Sequence, residues 1–239
     1  MLGKVYHMLT LAYGVPPTEF TWSQRDKDGK VVSTDKYTPL SFYNKLWGYD
    51  LNNDYVLVMN DPSREYYKVY QIEYDRHTYD GHDWVYLNLP NEEVKPMLIA
   101  SLKDSTAMYI SCDVNKFLNR QKGVMDLKNF DYESLLGVTM TMDKKERIIT
   151  HASASSHAMT LIAVDIDKAT SKPTKWMVEN SWGKENGFKG NYIMTDEWFN
   201  EYMFRFVLNK KYVPESVVKL LKQKPIKLPA WDPMFAPEE

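Results

Sequence analysis

His157 and Asn180 are the residues of this chain whose types and spacing best suit catalysis. One stands at the entrance to the β-rich run "HAMTLIAVDI", the other at the exit of "KWMVENSW". The turn-rich "DKATSKPT" between these runs predicts an antiparallel hairpin. A residue just before such a hairpin and one just after it become neighbours across the ladder, to within a register slip of a few residues. The two side chains can then meet. An imidazole that takes a proton and later returns it needs a fixed ring, and an amide oxygen fixes it by accepting the proton of the far ring nitrogen. Asparagine does so without adding charge, and the indole of Trp182 would keep water from competing for the bond. Alone, His157 reads as an ordinary hydrogen-bonded strand histidine, and Asn-Ser-Trp-Gly as a turn after a strand. Taken together with the glycine-rich stretch that follows, they favour a thiolate–imidazolium site, in which the orienting group is commonly Asn.

Such a site needs a nucleophile, and the chain has one cysteine, Cys112. It lies in "TAMYISCDV", a strand whose alternation sends Met108, Ile110, Cys112 and Val114 to one face and Ala107, Tyr109, Ser111 and Asp113 to the other. A strand offers no helix N-terminus to lower the thiol pKa, and free cysteines are commonly buried as small hydrophobes. Cys112 is therefore expected in the core, and the nucleophile elsewhere. A single cysteine also excludes an internal disulfide, which favours a reducing compartment.

The 239 residues are 44% hydrophobic and 26% charged, with a net charge of -2. That composition fits a globular protein of one or two domains with a proper core. It gives no global attraction to nucleic acid or anionic membrane. The uncharged stretch His151 to Val164 is too short and polar to cross a bilayer, and no signal-type leader follows Met1, so a cytoplasmic location is expected. Lys210, Lys211, Lys219, Lys222, Lys224 and Lys227 read as a solvated face, not a polyanion site. His77 and His82 with Asp83 lack a second ligand pair at recognisable spacing, so no metal is expected. Neither a phosphate-cradling glycine loop nor a GxSxG elbow is present.

The elements that must position the site follow from periodicity and punctuation. Leu2, Val5, Tyr6, Leu9 and Tyr13 share a helical face that Gly14, Pro16 and Pro17 terminate. "FTWSQRDKDGKVVSTDKYTPL" reads as strand, Asp-Gly turn, strand, then a short helix opened by Thr38-Pro39 and ended by Gly48. "DYVLVMND" and "YYKVYQIEY" are strands, and 91–103 a helix whose start Pro96 obscures. Residues 115–150 read as a long irregular connection. After the hairpin, "TDEWFNEY" is a helix capped by Thr195, "FRFVLNKKYV" a strand, "PESVVKLLKQK" a helix, and "PIKLPAWDPMFAPEE" an extended tail.

"GVPPTEFTWSQRDKDGK", "TPLSFY", "VMNDPS", "SCDVNKF", "SHAMTLIAVDI", "TKWMVENSWGKENGFKGNYIMTDEWF" and "LPAWDPM" resemble, in this order, segments of the bleomycin hydrolase and aminopeptidase C family of papain-like cysteine peptidases. The resemblance implies an α+β fold: a barrel-like antiparallel sheet lobe carrying His and Asn, with flanking helices and an extended C-terminal tail. It implies the C-terminal (His/Asn) portion over 1–209 and, over 210–239, a helix and tail directed to the active-site cleft. His157 would be the general base, Asn180 its orienting partner, and Trp182 their shield. The Glu239 carboxylate would hold the substrate amine, although "FAPEE" departs from the small-residue ending of the family and puts the aminopeptidase register in question. Papain-like nucleophiles lie in a Cys-Trp context roughly 130 residues or more before the His, and no such motif exists here. The chain thus resembles the C-terminal half of a thiol-dependent aminopeptidase, inactive alone and needing no cofactor. Its expected partners are peptide substrates, a complementary N-terminal half with the nucleophilic cysteine, and further copies of itself in a homo-oligomer. A truncated, non-catalytic assembly module of the same fold is the alternative.

Overall fold

The computed structural model describes residues 1–76 and 78–235, and these fall into two compact units, residues 1–51 and the remainder. In the first unit, α1 (Leu2–Tyr13) precedes the antiparallel hairpin β1 (Phe20–Arg25) and β2 (Val31–Tyr37), and α2 (Pro39–Leu46) follows. Thr38 opens α2 with a reciprocal capping box to Ser41 and a proline in its first turn, as the sequence predicts. Phe42 of α2 meets Phe20, Trp22 and Tyr37 edge-on, with centroids 5.1 to 5.2 Å apart. The apolar face of α1 is not covered: Leu2, Val5, Tyr6, Leu9 and Tyr13 are all exposed.

From α3 (Leu51–Asp54) onward the chain builds β3 (Tyr55–Met59), β4 (Val69–Ile72), β5 (Val85–Asn88), α4 (Asn91–Lys103) and β6 (Met108–Cys112). There follow β7 (Leu118–Asn119), β8 (Val124–Met125), α5 (Tyr132–Leu136), α6 (Lys144–Ile149), β9 (His157–Ile166) and β10 (Pro173–Glu179). The last elements are β11 (Asn191–Thr195), α7 (Asp196–Tyr202), β12 (Met203–Asn209), α8 (Glu215–Leu220) and β13 (Ile226–Leu228). Eleven strands join one sheet in the order β13-β4-β5-β3-β12-β6-β9-β10-β11-β8-β7. The central run from β3 through β11 is antiparallel, whereas β3–β5, β4–β13 and β8–β11 pair in parallel. Buried Val58, Leu87, Ile110, Leu161, Val178, Phe199 and Phe206 belong to the main core, and α4 adds Val94, Met97 and Leu98.

Several expectations need correction. Residues 115–150 are not an irregular connection, since they hold β7, β8, α5 and α6. These elements are too short for periodicity to reveal, and α6 depends on a capping box between Asp143 and Glu146. Helix α4 starts at Asn91 behind Pro90 and runs through Pro96. The strands β5 and β11 gave no recognised signal. In and just after β6, Met108, Ile110, Cys112 and Val114 are buried as alternation predicts, yet Ser111 and Asp113 on the other face are buried too.

The hairpin that carries the site contains a bulge. Met177 pairs with Ala163 but Val178 pairs with Leu161, so Ile162 is an extra residue on β9. Its effect is visible in the sequence pattern: Met159 and Leu161 are buried before it, and Val164 packs on the core after it. Extending the pairing of Glu179 with Thr160 puts Asn180 level with Met159, on the same face as His157 and one diagonal step away. Without the extra residue, Asn180 would be level with Thr160 and point to the other face.

Lys144 anchors α6 to this sheet. Its buried Nζ donates to Asn60 Oδ1 at 2.6 Å and to the Met203 carbonyl at 2.5 Å, and it lies 4.8 Å from the Phe204 ring centroid. Burial lowers its pKa from 10.5 to about 7, against the attraction of Glu201 and Asp61 and in concert with repulsion from Arg147 and Lys95. Between these two values the unfolded chain holds a proton that the folded chain has released. Lys144 therefore makes stability rise with pH across that window, by up to about 1.4 kcal/mol per pH unit. Urea unfolding of wild type and Lys144→Met across the same window should show this rise in the wild type alone.

Candidate active site

His157 Nε2 lies 2.9 Å from Asn180 Oδ1. The same Oδ1 accepts the Ser181 backbone N–H at 2.7 Å, which fixes the orientation of the amide. Because Oδ1 can only accept, His157 Nε2 must be the donor, and in the neutral ring Nδ1 carries the free lone pair. Asn180 is buried, and its Nδ2 has no hydrogen-bond partner among the described residues.

Trp182 packs on the imidazole in a tilted arrangement, with ring centroids 4.9 Å apart and planes at 38°, and Tyr192 meets the indole edge-on. Asn186 Nδ2 donates to the Trp182 carbonyl at 2.7 Å and closes the loop after Asn180. Two glycines then let that loop meet the turn between β7 and β8. A Cβ on Gly187, at φ 58°, would lie 2.5 Å from the Asn191 carbonyl oxygen, and one on Gly123 would lie 2.6 Å from Gly187 Cα. The β7–β8 turn carries Arg120, whose guanidinium sits 4.5 Å above the indole. Gly187→Ala should destabilise the chain by about 1–3 kcal/mol through backbone strain. The indole N–H resonance of Trp182 should shift as the loop withdraws from Arg120.

An open cleft of about 510 Å³ is lined by Val114, Asn115, Arg120, Ser155, Ser156, His157, Trp182 and Phe235. Behind it, Ser111 Oγ contacts Ser155 Oγ at 2.7 Å and donates to the His157 carbonyl at 3.1 Å. Arg205 Nε donates to Ser155 Oγ at 2.8 Å, while its guanidinium lies 5.4 Å from the Phe235 ring centroid. The chain reaches this cleft at Phe235, which packs on Tyr86, and the Met234 carbonyl accepts the Ser155 N–H at 3.0 Å. Asp232, itself buried, pairs with Arg64, which also holds buried Asp61 at 2.7 Å. Burial raises the Asp232 pKa, and the Arg64 guanidinium opposes that rise.

Of the residues singled out by sequence, His157, Asn180 and Trp182 meet. Glu239 and His77 lie outside the described residues. Cys112 pairs with His157 across the β6–β9 ladder, but its side chain is fully buried in the core. Burial pushes the thiol pKa up, with Asp113 adding to the effect, and among the described residues no hydrogen bond joins it to His157. This thiol is neither accessible nor readily ionised. Sequence reasoning missed Arg120, Ser155 and Arg205, which no local spacing connects to His157. Among the described residues there is no group of three or more His, Cys, Asp or Glu side chains placed to hold a metal, and no helix long and apolar enough to cross a membrane.

An imidazole oriented by a buried amide beneath an indole, at the mouth of a large mixed sheet, is the arrangement of a papain-like peptidase fold. The profile of the Peptidase C1-like family matches residues 1–235, and the chain belongs to that family. It is 41% identical to bleomycin hydrolase of Homo sapiens over 99% of this chain and 53% of that protein. It is 37% identical to aminopeptidase C of Lactobacillus delbrueckii subsp. lactis, again over 99% of this chain and 53% of the relative. The crystal structure of pepW from Lactobacillus rhamnosis HN001 superposes with a TM-score of 0.92 at 34% identity, covering 98% of this chain and 53% of that one. The chain spans about half the length of the relatives it matches.

Proposed function

We propose that this chain supplies the base-and-orienting half of a thiol-dependent aminopeptidase, the nucleophile coming from a segment outside these residues. The reading rests above all on the 2.9 Å contact between His157 Nε2 and Asn180 Oδ1, which leaves Nδ1 free. In this role Nδ1 takes the proton of an incoming cysteine thiol. The thiolate attacks the scissile carbonyl, and the imidazolium returns the proton to the departing amine. Asn180 holds the ring, Trp182 shields their bond, and oxyanion donors arrive with the nucleophile. The Glu239 carboxylate receives the α-ammonium of the substrate, a placement supported by the anchoring of residues 232–235 beside the cleft. The absence of a cysteine among the residues lining the cleft supports a lack of activity from this polypeptide alone, and its proposed location is cytoplasmic. The bare apolar face of α1 supports its assembly with a complementary half and with further copies.

The test is release of an N-terminal residue from an aminoacyl fluorogenic substrate. The chain alone should show none. Mixing with the matching N-terminal half of an aminopeptidase C relative should produce iodoacetamide-sensitive activity, and Cys112→Ala should leave that activity intact. Iodoacetamide-sensitive turnover by the chain alone would defeat the proposal. Failure to complement in a self-associating chain would favour the non-catalytic assembly module, and failure in a monomeric chain would defeat both readings.

A further inference from the structure

We propose that Arg120 determines specificity by binding a carboxylate on the departing part of the substrate. The carboxylate is either the α-carboxylate of a short peptide or the acidic side chain of the residue after the scissile bond. This rests on the peptidase reading above and adds a substrate class to it. The imidazole that protonates the leaving amine must touch it, so the departing residue lies against His157. Trp182 packs on that imidazole and therefore flanks the same residue. Arg120 comes next, with its guanidinium over the indole and its side chain lining the same cleft as His157.

Arg120 is also unengaged in a way that its neighbour Arg205 is not. Arg205 is committed to Ser155, Ser111 and Tyr86 and lies against Phe235. Among the described residues the Arg120 guanidinium makes no hydrogen bond and no ion pair; it lies over the indole, and its charge is felt by the nearby Tyr192 hydroxyl. A guanidinium stacked on an aromatic face keeps the N–H donors in its plane free, in the fork that suits a carboxylate. The packing of Gly123 on Gly187 holds the Arg120 turn against the Trp182 loop, so the cation is positioned before any ligand arrives.

The test uses the whole chain and no hydrolysis. Alanyl-alanine, alanyl-alaninamide and alanyl-aspartamide are titrated while the indole N–H resonance of Trp182 is followed, its assignment made with Trp182→Phe. All three ligands share the N-terminal ammonium; the first carries an α-carboxylate, the second none, and the third a side-chain carboxylate. At least one carboxylate peptide should bind about fivefold more tightly than the amide, the upper range for a solvent-exposed ion pair. Arg120→Gln should abolish the preference, Arg120→Lys should keep part of it, and added salt should shrink it. Whichever of the two carboxylates is preferred identifies its source. Equal binding of all three peptides, or a preference that survives in Arg120→Gln, would overturn the proposal. A preference without activity in the complemented assembly would leave the carboxylate site standing and remove the peptidase reading. Activity without a preference would remove only the role of Arg120.

Discussion

Replacing His157 with alanine should abolish the activity of the complemented assembly, lowering kcat by about 10⁴-fold or more, because members of a catalytic unit fail together. The size follows from the role proposed for Nδ1. Without it the incoming thiol must ionise unaided, and the leaving amine must depart without a proton. Asn180→Ala should cost less, about 10²-fold, since the ring remains but is no longer held in the orientation that aims Nδ1 at the thiol. Its main effect should fall on kcat, with KM little changed. His157→Ala, at a half-buried position, should retain the wild-type unfolding midpoint in urea, whereas Asn180→Ala, which strands the Ser181 N–H at a buried site, should lower it by about 1–2 kcal/mol of stability. An Asn180→Ala variant with full kcat would show that the amide does not orient the base.

Arg64→Met should produce the largest change in stability, a loss of about 3–5 kcal/mol, the usual result of stranding a buried charge. Two carboxylates are stranded here, because Arg64 pairs with both Asp61 and Asp232 and both are buried. The two need not respond alike. Asp61 keeps the Ser63 N–H at 2.8 Å and the Ser63 hydroxyl, whereas Asp232 keeps the Met234 N–H at 3.2 Å. Asp232, already pushed upward by burial, should then take up a proton more readily. Local loosening should accompany the global loss: the Ser155 amide, which donates to the Met234 carbonyl, should exchange with solvent faster than the amides of β9. A variant with wild-type stability and unchanged exchange at Ser155 would mean that Arg64 does not anchor the residues leading to the cleft.

The candidate site was legible in the sequence because its members flank one hairpin, and hairpin partners are set by local turn chemistry. Even the bulge left a trace. In "HAMTLIAVDI" the core-facing positions run through His157, Met159 and Leu161 and then shift to Val164 and Ile166, which is the signature of one inserted residue. The burial of Cys112 was equally legible, since a small apolar thiol in mid-strand falls on the core-facing side of the alternation. Arg120, Ser155 and Arg205 were not. They reach the cleft through contacts between distant segments, and the turn carrying Arg120 depends on two glycines, Gly123 and Gly187, that meet only in the folded chain. The parallel partnership of β8 with β11 hides for the same reason: two-residue strands have no periodicity, and only a neighbour makes them strands. The buried polar residues Ser111 and Asp113 show where alternation fails, because Ser155 and Ser153, elsewhere in the chain, hydrogen-bond to them.

The proton on the His157 ring tests the central claim most directly. In uniformly ¹⁵N-labelled chain, at a pH where the ring is neutral, long-range ¹H–¹⁵N correlation should find the proton on Nε2 and a pyridine-like Nδ1. Asn180→Ala should redistribute that proton between the two nitrogens. A ring protonated on Nδ1, or one whose tautomer ignores the loss of Asn180, would contradict the account.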